Sequence, residues 1–156
     1  MGGIIAEKTT GYSKWMGAYL TFQRAIISTL ISYKKQVMYI TADKQKMVGE
    51  MLNVVVANGK YFGSGLGIAP EASAHDGRFS IVTIGDISLF DYLILLGQLK
   101  NCQVLHHPEV KYMQAEQVML DAPSHALPID MDGEFVGYTP LKICIVPKAL
   151  KFRCPG

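Results

Sequence analysis

Two acidic residues, two positions apart, carry the clearest chemistry in this chain. Asp132-Gly133-Glu134 lies between Pro128-Ile129-Asp130-Met131 and Phe135-Val136-Gly137-Tyr138, two runs with strand character. The pattern alone reads as a two-residue hairpin turn, because Asp-Gly between such runs is a strong short-range hairpin signal. The same tight bend can hold two carboxylates rigidly at a sheet edge, where they can face a second domain. Carboxylates held in this way can accept protons. Asp76-Gly77 is a second acidic turn, set directly before the β-rich run Phe79–Ile84.

Other reactive residue types are less promising. Gly63-Ser64-Gly65-Leu66-Gly67 has the glycines of a phosphate loop, but no Lys-Ser or Lys-Thr follows it. Pro70 arrives before any helix could offer its N-terminal amides, so the cluster reads as backbone shaping. His106 and His107 are adjacent, and in a strand their rings would point to opposite faces, which argues against joint chelation. His75 and His125 fall in expected loops. Cys102, Cys144 and Cys154 are odd in number and fit no metal-ligand spacing, so they read as reduced cytosolic thiols.

The elements that must position these residues are mostly strands. Val54-Val55-Val56 is a β-branched run that turns at Asn58-Gly59 and is answered by the strand at Phe79, with a long shaped loop between them. Further strands are expected over Lys35–Thr41 and Lys46–Ala57, joined by a turn at Ala42-Asp43-Lys44-Gln45, and then over Val110–Leu120. The remaining strands are Ile129–Met131, Phe135–Tyr138, Leu141–Val146 and Leu150–Arg153. Apolar residues at three- and four-residue steps from Trp15 to Ser32 predict one helix. Leu89–Lys100 predicts another, with Ser88 as its N-cap. The expected fold is α+β and mainly β: a two-layer antiparallel sandwich with one or two helices.

With 156 residues the chain is sized for one domain with a real core. No uninterrupted apolar run reaches the ~18 residues of a membrane span. A net charge of +2, with basic residues scattered, gives no footprint for nucleic acid.

Several of these pieces, in this order, resemble the second domain of the diacylglycerol kinase and sphingosine kinase family of lipid kinases. They are Ala57-Asn58-Gly59-Lys60-Tyr61-Phe62-Gly63, Ile68-Ala69-Pro70, Asp76-Gly77 and Asp132-Gly133-Glu134. Gly2-Gly3-Ile4-Ile5-Ala6 with the helix after it, and Pro147–Phe152, extend the likeness to most of the chain. The resemblance implies that Asp132 is the proton acceptor for a lipid hydroxyl and that Glu134 belongs to the same site. It also implies a cation site held by the Asp76 carboxylate and by main-chain carbonyls, by position those of Ser73 and Arg78. Mg²⁺ suits such an oxygen set.

The family's Gly-Gly-Asp-Gly phosphate loop does not occur in these residues. The chain is therefore expected to be the C-terminal half of an ATP-dependent lipid kinase, without the N-terminal nucleotide-binding domain and inactive alone. Expected partners are ATP with Mg²⁺, a lipid alcohol such as diacylglycerol, the missing domain and a membrane surface touched peripherally from the cytoplasm. A homodimer through a surface normally covered by the other domain is a further expectation. The competing reading is a non-catalytic β-sandwich that binds lipid or protein.

Overall fold

The computed structural model describes residue 27, residues 34–62 and residues 65–151. The opening Gly2–Ala6 motif and the Trp15–Ser32 helix lie outside them, apart from Ile27, which is helical and packs against the core.

The sandwich is built on β6 (Phe79–Ile84), the central strand of a three-stranded antiparallel sheet. Its neighbours are β3 (Asn53–Ala57) and β7 (Val110–Ala115). Val55 pairs with Val82 and Ala57 with Ser80, so the two expected strands close around the long loop between them. Both faces of β6 are covered, so its four inner residues, Ser80 and Thr83 included, are all buried. Ile81 and Val82 point to opposite faces, and both are fully buried.

On the Ile81 face lies a four-stranded sheet ordered β11, β8, β1, β2. Its strands are β1 (Gln36–Ala42), β2 (Gln45–Met51), β8 (Gln117–Asp121) and β11 (Leu141–Cys144). Met38, Ile40 and Ala42 of β1 and Val118 of β8 pack with Ile81 and Ala115 into one core. On the Val82 face lies the helix α1 (Leu89–Lys100), whose Tyr92, Leu95 and Leu99 form a second core with Leu66, Ile68 and Leu105. Burying an aliphatic side chain of this kind contributes ~1.5–3 kcal/mol. The two sheets thus form the expected sandwich, with the helix as an outer layer.

The helix starts as its sequence predicts. Ser88 Oγ accepts from the Asp91 amide at 3.1 Å, and Asp91 Oδ2 accepts from the Ser88 amide at 2.8 Å. This reciprocal pair satisfies two donors that a helix N-terminus would otherwise leave open.

Four expectations need correction. Lys46–Ala57 is two strands in different sheets: the chain crosses at Leu52, whose amide donates to Ile84 O. Met51 and Leu52 are both buried, breaking the alternation without any Gly or Pro to mark it. Val110–Leu120 is likewise split at Glu116, where Asp43 Oδ1 accepts from the Glu116 and Gln117 amides at 3.0 and 2.9 Å. His106 and His107 lie in the loop after α1; His106 is exposed, and His107 turns toward Asp91 at 3.8 Å. Strand β11 ends at Cys144, and residues 150–151 are not in a strand.

The glycine cluster shapes backbone, as expected. Leu66–Gly67 is β5, paired with β4 (Tyr61–Phe62) in a small ribbon; residues 63–64 lie outside the described set. Gly67 abuts Cys102 so closely that a Cβ there would lie 2.5 Å from the Cys102 Cα.

Candidate functional site

The last ribbon pairs β9 (Pro128–Met131) with β10 (Glu134–Tyr138). Glu134 opposes Met131, leaving Asp132-Gly133 as a two-residue loop. Their φ angles are 53° and 92°, the left-handed pair that a tight, right-twisted hairpin requires. The loop is therefore the turn that its sequence predicts. Asp130 Oδ1 closes it from inside, accepting from the Gly133 amide at 2.8 Å.

At its base the ribbon is tied down by Leu127 and Thr139. The Leu127 amide donates to Thr139 Oγ1 at 2.9 Å, and the Thr139 amide donates to Leu127 O at 2.9 Å. A bulge at Val136 shifts the register between Phe135 and Gly137 and adds local twist. Phe135 and Tyr138 stack edge to face with centroids 5.1 Å apart. The turn is thus carried by a closed ribbon anchored at one end.

Beside it opens a cleft of about 920 Å³. Its walls are mainly apolar: Val54 and Val56 on β3, Leu95 and Leu99 on α1, and Leu127 and Ile129 leading into the ribbon. Asp130, Asp132 and Gly133 line the same cleft, and Asp121 contributes a further carboxylate. Glu134 does not line it and is exposed. Neither Asp132 nor Glu134 takes part in an ion pair among the described residues. The arrangement places a carboxylate on a fixed turn at the border of an apolar space, where it can meet a polar head attached to a hydrocarbon body.

Asp130 was not singled out from sequence. The available signal was the spacing Asp130, Asp132: alternate positions face the same way, and an aspartate three residues before a glycine can cap a turn. Partial burial and the neighbouring Asp132 carboxylate push the Asp130 carboxyl above its ordinary 3.8, against the lowering effect of the Gly133 amide.

The second acidic turn stands apart from this cleft, whose walls include none of Ser73, Asp76 or Arg78. Asp76 Oδ1 accepts from the Arg78 amide at 2.9 Å, and Ser73 Oγ accepts from the His75 amide at 3.3 Å. Gly77 takes a φ of 72°, as the turn requires. The Arg78 guanidinium leans 4.0 Å from Glu116 Oε1, which draws its charge from the turn. Among the described residues no three His, Cys, Asp or Glu side chains gather as metal ligands. One carboxylate with main-chain oxygens is nonetheless an all-oxygen donor set that fits a hard cation.

The family model of the YegS C-terminal NAD kinase beta sandwich-like domain matches residues 3–154. The chain belongs to this family. Among curated relatives, "Probable lipid kinase YegS-like" of Shewanella frigidimarina is 28% identical over 155 residues, covering 97% of this chain and 48% of the relative. "Putative lipid kinase" of Staphylococcus epidermidis is 25% identical over 150 residues, covering 94% and 48%. The chain spans about half the length of the curated relatives it matches. Two solved Bacillus anthracis structures share the fold. The one described as "a putative diacylglycerol kinase" gives a TM-score of 0.66 at 22% identity, over 81% of this chain and 44% of that one. Another diacylglycerol kinase structure gives 0.56 at 19% identity, over 78% and 43%. The resemblance read from the motifs is thus to the right family: the matched model is a C-terminal domain, and these relatives carry lipid kinase names. Among the described residues, no helix is long and apolar enough to cross a membrane.

Proposed function

We propose that this chain is the lipid-binding and proton-accepting half of an ATP-dependent lipid kinase. The observation that carries the reading is the position of Asp132, on a rigid left-handed turn bordering a largely apolar cleft of about 920 Å³. A lipid alcohol such as diacylglycerol lays its acyl chains along the apolar walls and presents its hydroxyl to Asp132. Asp132 takes the hydroxyl proton as oxygen attacks the γ-phosphorus of ATP; ADP leaves and a phosphorylated lipid forms. In phosphoryl transfer the protein mainly positions groups and stabilises charge, so a fixed carboxylate is the contribution expected of this half.

Glu134, exposed beside the same turn and outside the cleft, belongs to the same site. The donor is held by a second, nucleotide-binding domain, in keeping with the half-length match to the relatives. Mg²⁺ accompanies ATP. A structural cation at the Asp76 turn would be held by the Asp76 carboxylate and the carbonyls of Ser73 and Arg78; its chemistry is to stiffen the loop between β3 and β6. The protein works at a bilayer surface, from the cytoplasm, because its lipid substrate resides there.

The test is reconstitution. This polypeptide and a full-length protein carrying it are each assayed for transfer of labelled γ-phosphate from ATP to diacylglycerol in vesicles. Transfer by the full-length protein alone is the expected result. Transfer by neither, across several lipid alcohols, would remove the kinase reading, and robust transfer by the isolated chain would remove the division of labour.

A further inference from the structure

We propose that Asp130 is a positioning residue for phosphoryl transfer: its bond to the Gly133 amide fixes the backbone from which Asp132 faces the cleft. The proposal rests on the reading of Asp132 as proton acceptor and adds a residue that the motif does not contain.

The geometry is specific. Asp132 takes a φ of 53°, a conformation that most L residues avoid and that aspartate visits when local hydrogen bonds hold the turn. Gly133 follows at 92°. The strand register stops at Met131 opposite Glu134, so no ladder bond crosses the loop itself. What crosses it is the 2.8 Å bond from the Gly133 amide to Asp130 Oδ1. Asp130 and Asp132 lie two residues apart and line the same cleft, so the clamp and the reacting group share one face of the ribbon. Among the described residues the ribbon pairs with no other sheet, so no strand among them holds its tip in register. Without the clamp, the loop can relax toward conformations that L residues prefer, carrying Asp132 off its approach to the hydroxyl.

A displacement of about 1 Å at a reacting group can cost up to about 10²-fold in rate. The experiment therefore compares Asp130→Ala, Asp130→Asn and Asp132→Asn in the full-length kinase, measuring kcat, both KM values and melting temperature. Asp130→Ala is expected to lower kcat about tenfold or more with KM for ATP within twofold. Asp130→Asn, which keeps an oxygen at the accepting position, is expected to retain kcat within about threefold. In the Asp132→Asn background, Asp130→Ala should cause little further loss, because a clamp has nothing left to position.

If Asp130→Ala keeps wild-type kcat while Asp132→Asn abolishes it, the clamp is wrong and the proton-acceptor reading stands. Equal losses in Asp130→Ala and Asp130→Asn would make charge, not the bond, the operative feature, and would also overturn the proposal. Wild-type turnover in Asp132→Asn would defeat the underlying reading separately. If Asp130→Ala does not fold, Asp130→Ser takes its place: its shorter hydroxyl reaches the Gly133 amide less well and should give an intermediate kcat, whereas wild-type kcat would overturn the clamp.

Discussion

Asp43 fixes the point where the chain passes from one sheet to the other, and replacing it gives a graded test of how that crossing is held. It sits in the tight turn between β1 and β2 with φ at 52°. Its Oδ1 accepts from the amides of Glu116 and Gln117, where the chain passes from β7 in one sheet to β8 in the other. Its own amide donates to Gln117 O at 2.9 Å, a bond that any non-proline residue retains. Asp43→Ala removes two side-chain bonds, each worth about 1 kcal/mol net at an exposed site. It also places a Cβ without a local hydrogen-bonding group in the left-handed region, adding roughly 1 kcal/mol. The expected loss is about 2–3 kcal/mol. Asp43→Gly loses the same bonds but relieves the backbone, for about 1–2 kcal/mol. Asp43→Asn keeps an accepting oxygen and tolerates the backbone, for less than about 1 kcal/mol. Urea unfolding of the three variants, with the slope held in common, reads these differences directly. The order Ala, Gly, Asn from worst to best is the expected result. An Ala variant within about 0.5 kcal/mol of wild type, or an Asn variant as poor as Ala, would refute the clamp at the crossing.

Gly67→Ala forces a new Cβ to within 2.5 Å of the Cys102 backbone, which cannot rotate away, so a loss of about 1–3 kcal/mol should appear in the same unfolding assay. The Asp91 carboxyl is held below its ordinary 3.8, first by the Ser88 hydroxyl and then by the Ser88 amide. A depressed folded value stabilises the protein above the unfolded value, and that stability is lost as pH falls through the folded one. Asp91→Asn should therefore flatten the melting-temperature profile below about pH 4, leaving less acid sensitivity than wild type. Asp76→Ala should abolish any rise in melting temperature caused by millimolar Mg²⁺ in excess of EDTA controls; an undiminished rise would place cation binding elsewhere.

Much of the fold was legible because the sequence punctuates it. Phe79–Ile84 is β-rich, with buried residues on both of its faces, and Ser88 with Asp91 marks the helix start chemically. Asp132-Gly133 is the turn that two consecutive left-handed residues demand. The crossings at Leu52 and Glu116 were not legible. Neither carries a glycine or proline, and each break is set by tertiary contacts: the Ile84 carbonyl for one and the Asp43 carboxylate for the other. The His106-His107 loop is placed by a contact that spacing does not display: Leu105 anchors it to the core, and its amide donates to the Tyr112 hydroxyl at 3.1 Å. For the candidate site, motif order pointed to Asp132. The adjoining cleft and the Asp130 bond arise from chain segments far apart or from turn geometry, which spacing alone does not display.

The most direct test of the central claim is the turnover of Asp132→Asn in a full-length kinase, measured beside its affinity for the lipid alcohol. Removing a general base should lower kcat by about 10²–10⁴-fold, with lipid affinity and melting temperature unchanged. Wild-type turnover from the asparagine variant would show that Asp132 only shapes a turn and that the proton is accepted elsewhere.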